Sequence, residues 1–284
     1  MTTETFFANF GHLADALNGV QKLRELILQL AVQGKLVPQD PNDEAASVLL
    51  ERNQAEKSRL AKEKKIRATK ENLKPSVDAL DQPVPLNWDF EYLGNIAHVI
   101  TKGATPTTYG YQFQSEGISF VKVENVKGGH IVKNNISTFI CHEAHESQAR
   151  SQLEAGDILF SIAGTIGETC VVKESDLPAN TNQALAIIRG TKGVFNAAYL
   201  KMQLDTFVAN AVKAKARGGA MNNVSLGDLR DLLVFVPSLA EQKRIVAKVD
   251  QLMALCDELE TKLNQAQQHS EKLMEATVQQ LLVE

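Results

Sequence analysis

The stretch 237-PSLAEQKRIVAKVDQLMALCDELETKLNQA-266 decides how the rest of the chain is read. Beyond Pro237, the residues Ile245, Val249, Leu252, Cys256, Leu259, Leu263 and Ala266 recur at alternating intervals of four and three, and the register runs on to Leu273. An apolar period of about 3.5 residues, kept up over this length, predicts a helix that packs lengthwise against another helix. From Ile245 to Leu281 such a helix extends about 55 Å. Alone in water it would not be stable with that seam uncovered. Its predicted mates are the first helix of the same chain and the matching helices of a second copy.

The first helix carries a seam of the same kind, through Ala16, Val20, Leu23, Ile27 and Leu30. Gly34 supplies a stop, and Pro38 prevents resumption. Asp40 to Glu44 then reads as a new start, with Asp40 as N-cap, Pro41 in the first turn and acids near the positive dipole end. A second helix is predicted from there to Lys74. Its later part is basic (Lys57, Arg59, Lys62, Lys64, Lys65, Arg67, Lys70, Lys74). No aromatics interleave with those cations, so a solvated face is preferred over a nucleic-acid contact.

Pro75, Pro83 and Pro85 mark a linker. After Trp88 the pattern changes to short β-rich pieces bounded by turns: 118–123, 129–132, 157–162, 169–172, 184–188 and 232–236, with one helix near 197–213. The expected organisation is a helical region 1–74, a linker 75–87, a mixed α+β globular domain 88–236 and a C-terminal helix 237–284.

The chemistry-bearing motifs are notable for what they omit. The chain has no Gly-x-Gly-x-x-Gly, no GxxxxGK[ST] and no HExxH. It also lacks the Asn/Asp-Pro-Pro-Tyr/Phe run with which adenine methyltransferases hold a flipped base, and no carboxylate pair stands out. Cys141-His142-x-x-His145 lacks a second ligand pair and reads as polar loop residues, so no metal is expected. Two segments could meet DNA. Lys102 to Tyr111 is dense in hydroxyls and aromatics between Gly and Pro. Lys213 to Asn223 places Lys213, Lys215 and Arg217 before a diglycine that would let backbone amides approach a phosphate. By composition alone, each segment also reads as an ordinary turn or helix stop with solvated charges.

With 30 basic and 34 acidic residues the net charge is -4. The excess sits at the C-terminal end, and residues 83–236 are close to neutral. Phosphate contacts must therefore come from local clusters, and DNA binding by the chain alone should be weak. Three scattered cysteines without a CxxC pair fit a reducing compartment. No apolar run suits a membrane span and the N-terminus lacks a secretory pattern, so a cytoplasmic protein is expected.

Taken together, these pieces resemble the specificity subunits of type I restriction–modification enzymes. The resemblance rests most firmly on 22-KLRELILQLAVQGKLVPQDPNDE-44, on Pro237 to Val246 and on Leu252 to Asp257. Weaker marks of a target recognition domain lie between: Gly103 to Tyr109, Gly156 to Phe160, Gly164 to Gly167, Asn182-Gln183 and Gly218 to Leu226. Where the usual member has two recognition domains, this chain has one, and so resembles half a subunit.

The resemblance implies a non-catalytic reader of double-stranded DNA with no cofactor of its own, S-adenosylmethionine belonging to the partner adenine-modification subunit. It implies an antiparallel helical spacer, modification and restriction subunits as partners, and two half-chains pairing to read an interrupted palindrome. Leu23, Ile27, Leu30, Ile245, Val249, Leu252, Cys256, Leu259 and Leu263 would serve the partner helices. Lys102, Thr105, Thr107, Tyr109 and Lys122 would touch bases or backbone, and Lys213, Lys215 and Arg217 phosphates. Two rival readings remain: a coiled-coil adaptor without DNA recognition, and a stand-alone methyltransferase or nuclease, against which the missing motifs count.

Overall fold

The computed structural model describes the backbone of residues 18–67, 73–76, 84–216 and 223–283, with side chains except at 209–216 and 280–283. The chain divides into two compact units, one made of 1–37 with 245–284, the other of 38–244.

In the first unit, helix α1 (Gly19–Val32) buries Val20, Ile27, Ala31 and Val32. It ends where Gly34 takes a left-handed φ of 67°, with Gly34 N–H donating to Ala31 and Lys35 N–H to Leu30. That pair of bonds satisfies carbonyls the helix would otherwise leave bare. The long C-terminal helix, named α7 below, buries Ile245, Val249 and Cys256 in this unit. Leu23, Leu30, Leu252, Leu259 and Leu263 are half-buried. Arg24 joins the two helices by reaching Asp257 at 2.6 Å and Glu260 at 2.7 Å. Contact along the seam stops at Leu263. Farther on, Leu273, Met274 and Val278 are more than half exposed (56%, 60% and 54%).

The second unit begins with a correction. Helix α2 covers Ala46–Lys62, with Ala45 as its N-cap residue, and does not start at Asp40. The Asp40 carboxylate is spent on a local turn, accepting from Asn42 N–H at 2.9 Å, while the Asp40 carbonyl takes Asp43 N–H at 3.1 Å. Asp43 in turn holds Arg244 at 2.7 Å and accepts from the Ser238 hydroxyl at 2.8 Å. Nor does α2 reach Lys74: Lys64 takes a left-handed φ of 56°, closing the helix soon after Lys62. Lys57 departs from the expected solvated face as well. It is 6% exposed, and its ammonium donates to the carbonyls of Gly94 (2.7 Å) and Asn95 (2.9 Å). Asn53 donates to Ile96 O beside it. Those carbonyls belong to a short helix, α3 (Leu93–Ile96), so α2 is tied to the globular part by side chains that read as surface polarity in the sequence.

The sheets follow. β1 (Asp89–Tyr92) pairs antiparallel with β11 (Leu233–Val236). The main sheet has the order β2 (Val99–Lys102), β10 (Leu185–Arg189), β7 (Ile158–Ser161), β8 (Thr169–Val171), antiparallel throughout. A second sheet sets β3 (Ile118–Val121) between β6 (Phe139–Ile140), antiparallel, and β9 (Ala179–Thr181), parallel. β4 (Val126–Lys127) and β5 (His130–Ile131) form a hairpin. All four residues of β7 and four of five in β10 are buried, as befits strands covered on both faces. One core joins the sheets through Val121, Leu159, Cys170, Ala179, Leu185 and Ile187. Helix α4 (His142–Ser147) follows β6. Helix α5 (Ala197–Ala216) packs on β8, with Val208 seated over Gly167. Helix α6 (Leu226–Arg230) is opened by a reciprocal cap in which Ser225 and Asp228 bond each other's backbone N–H. Helix α7 (Leu239–Val283) closes the chain.

Candidate nucleic-acid interface

The strand registers place two different functions at the two ends of the main sheet. At one end, Arg189 stands opposite Val99, and Ile188 opposite Ile158. Here the Asp157 carboxylate, 1% exposed, takes two bonds from the Arg189 guanidinium at 2.6 and 2.7 Å. Arg189 also donates to Gln152 O and pairs with Glu154. Burial works against the guanidinium charge, but Asp157 and Glu154 more than offset it, so the group stays protonated at any working pH. Nothing is left over for a ligand. This end locks the sheet.

At the other end, Lys102 closes β2 opposite Ala186, and the chain turns sharply over the end of β9. Gly103 N–H donates to Leu185 O (3.2 Å) and Ala104 N–H to Thr181 O (3.1 Å). The approach is so close that a Cβ on Gly103 would lie 2.1 Å from Thr181 O and 2.3 Å from Asn182 O. The next residues form a tight turn, Pro106–Tyr109, ended by Gly110 at a left-handed φ of 84°. Thr107 and Tyr109 are exposed on it, Tyr109 by 53%. Thr105 is bonded through its hydroxyl to the side-chain carbonyl of Gln183.

Lys122 immediately follows β3 and reaches the same region, because Val121 stands beside Thr181 in the parallel pair and accepts from its hydroxyl at 2.9 Å. Its ammonium sits 5.8 Å from the ring centre of Phe113, which is 40% exposed. The turn between β7 and β8 lies at this end too, and a groove of about 390 Å³ runs past Glu124, Lys127, Thr165, Glu168 and Asn182. Its two carboxylates disfavour a phosphate within the groove itself.

Five of the eight expected DNA-facing residues, Lys102, Thr105, Thr107, Tyr109 and Lys122, are therefore gathered at one end of the main sheet. Lys213 and Lys215 lie on the last turns of α5 rather than in a loop, because that helix runs to Ala216. Their side chains, and all of Arg217, fall outside the described residues. Two partners were missed as contacts: Gln183, visible in the sequence only as part of a family mark, and Phe113, which gave no local signal. Among the described residues no group of three or more His, Cys, Asp or Glu could hold a metal ion, and no helix is long and apolar enough to cross a membrane.

Rigid strand ends that present hydroxyls, an amide, an aromatic ring and cations make a recognition surface without a reaction centre, and the sequence relationships agree in kind. Residues 85–267 match the family model of the type I restriction modification DNA specificity domain. The chain belongs to that family. It is 31% identical over 277 residues to the type I restriction enzyme EcoAI specificity subunit of Escherichia coli, covering 90% of this chain and 44% of that one. To the EcoEI specificity subunit of the same organism it is 30% identical over 266 residues, with the same coverage of 90% and 44%. The chain thus spans less than half the length of these curated relatives.

Two solved structures share the fold. The HsdS subunit from Thermoanaerobacter tengcongensis superposes with a TM-score of 0.50 at 19% identity, over 91% of this chain and 52% of that one. A chain from work on complex assembly and conformational transition of the type I R-M system gives 0.53 at 19%, over 90% and 55%. Within the family match fall the close turn at Gly103, Phe113, Lys122 and Gln183, together with the buried first half of the α7 seam.

Proposed function

We propose that this chain is the DNA-reading, non-catalytic half-subunit of a type I restriction–modification system. Residues 88–236 would be its target recognition domain, with 1–74, the linker 75–87 and 237–284 serving assembly. The observation that carries this reading is the cluster at one end of the main sheet. There Lys102, Thr107, Tyr109 and Lys122 are held by backbone bonds on strand ends, in a chain whose family is defined by DNA specificity. Hydroxyls and lysines of this kind position a duplex through its phosphates and read base edges in a groove.

The assembly is a pair. Half a reader restores a two-part target by two-fold symmetry, and the exposed stripe of Leu273, Met274 and Val278 on α7 offers apolar surface for a second copy. Helix α7, with 45 residues, is about 67 Å long, more than the roughly 34–36 Å of one DNA turn. Each reader can therefore sit on its own half-site of an interrupted palindrome. The modification subunits, which supply S-adenosylmethionine chemistry, and the restriction subunit dock on this scaffold in the cytoplasm.

The test is methylome sequencing of cells that express this chain with its modification partner. A methylated interrupted palindrome is expected. Unrelated half-sites would refute the homodimer, and methylation without sequence preference would refute the reader. Reversing the charge of Lys215 and Arg217 should abolish sequence-selective gel shifts, an outcome an adaptor without DNA recognition would not give.

A further inference from the structure

The proposed reading surface contains one arrangement whose chemistry matches a single base. Phe113 is 40% exposed, yet its position is fixed. Beneath it Phe120, 1% exposed, packs at 5.2 Å with the rings tilted by 54°. The next residue is clamped to β6, with Gln114 N–H donating to Phe139 O at 2.8 Å and Phe139 N–H to Gln114 O at 3.1 Å. The Lys122 ammonium stands 5.8 Å from the ring centre. Its carboxylate partner, Glu124, is 3.9 Å away on a side chain 70% exposed, which leaves the ammonium free to turn to another acceptor.

A ring that wedges between base steps must present open faces to both neighbours. Phe113 has the ammonium over its face and Phe120 packed against it, so its edge is what it can offer. The pair therefore presents an apolar edge beside a hydrogen-bond donor. In the major groove thymine alone shows the complement, a C5-methyl group next to the O4 acceptor. Cytosine would turn an N4 amino donor toward the lysine, and guanine carries acceptors without a methyl.

Resting on the DNA-reading function proposed above, we infer that Phe113 and Lys122 together read a thymine, Phe113 packing on the methyl group and Lys122 donating to O4. The recognised half-site then contains an A·T pair at the base met by this pair of side chains.

The experiment uses the full chain with its modification subunit and a duplex recovered by selection from a random library. Each thymine of one half-site is replaced in turn by uracil, which removes the methyl and nothing else. At one position the substitution is expected to weaken binding roughly fourfold, the effect of one methyl group withdrawn from apolar contact. With Phe113→Ala that penalty vanishes, and with Phe113→Leu, which keeps an apolar side chain, part of it returns. Because Phe113 is surface-exposed, both variants should fold, and equal melting temperatures would verify it. Lys122→Ala should lower affinity for the thymine and uracil duplexes alike. If no thymine shows a penalty, or if the penalty persists in Phe113→Ala, the inference is overturned while the DNA-reading function stands. If the selection yields no preferred sequence, the DNA-reading function itself is overturned.

Discussion

Adding one methyl group at Gly103 should both loosen the fold and blunt DNA recognition. The Cβ of Gly103→Ala would sit 2.1 Å from Thr181 O, 2.3 Å from Asn182 O and 2.4 Å from Thr181 C. These are backbone atoms, so no rotamer change relieves the clash and the turn must retreat by about 1 Å to reach ordinary contact. Retreat stretches two hydrogen bonds, Gly103 N–H to Leu185 O and Ala104 N–H to Thr181 O, each contributing about 1 kcal/mol. Overpacking adds about 1–3 kcal/mol. The expected loss is therefore about 3–5 kcal/mol, read by urea unfolding. The same movement parts Thr105 from Gln183, so the affinity for the selected duplex should fall as well. Gly110→Ala is the control. Its φ of 84° is left-handed but nothing lies within 4 Å of the added carbon, so only conformational strain of about 1–2 kcal/mol is expected. If Gly103→Ala unfolds within 0.5 kcal/mol of the native chain, to take a threshold of roughly the error of such measurements, the close turn does not hold the reading surface in place.

Further outcomes follow from the same structure. Asp157→Ala strands the buried Arg189 guanidinium and should cost about 3–5 kcal/mol, whereas replacing both residues by apolar ones should cost less; denaturant midpoints measure both. Lys102→Ala should weaken DNA binding and reduce the slope of log affinity against log salt by about one unit, as titrations at several salt concentrations would show. Burial pushes the Glu241 carboxyl up, against the pull of Trp88 and Arg244. Folded chains therefore keep its proton where unfolded ones have lost it, and stability should fall as pH rises from the ordinary glutamate range toward the raised value. Glu241→Gln should flatten that decline, and a thermal melt series across pH would reveal it. Arg24→Ala should cost about 0.5–1 kcal/mol at low salt and less at 1 M, because Asp257 and Glu260 are largely open to water.

The seam residues could be found in the sequence because helical periodicity is a local property. Ile27, Ile245, Val249 and Cys256 needed only their spacing to declare a buried stripe, and Gly34 its place after the last apolar step. The extent of burial is not local. Whether Leu263 or Leu273 ends the covered stretch depends on where another helix lies. Asp40 misled for a related reason: an aspartate before a proline suits a helix start and a turn equally, and the true start waits until the chain meets α3. Lys57 illustrates tertiary override, since nothing near it in sequence announces two bare carbonyls at Gly94 and Asn95. In the candidate site, Lys102 to Tyr109 stood out by composition. Gln183 and Phe113 joined it only through the pairing of β3 with β9 and of β2 with β10, contacts across tens of residues that no window can contain.

The separation along β7 and β10 has a consequence for how such a chain diversifies. The Asp157–Arg189 lock and the turn at Gly103 lie at opposite tips of strands that advance about 3.3 Å per residue, farther apart than the roughly 7–10 Å beyond which substitutions act independently. Mutations that rewrite target preference at one tip need not renegotiate folding at the other. A lineage carrying this sheet can therefore drift toward new DNA addresses, and escape an invader that has learned the old one, while the clasp beneath stays unaltered.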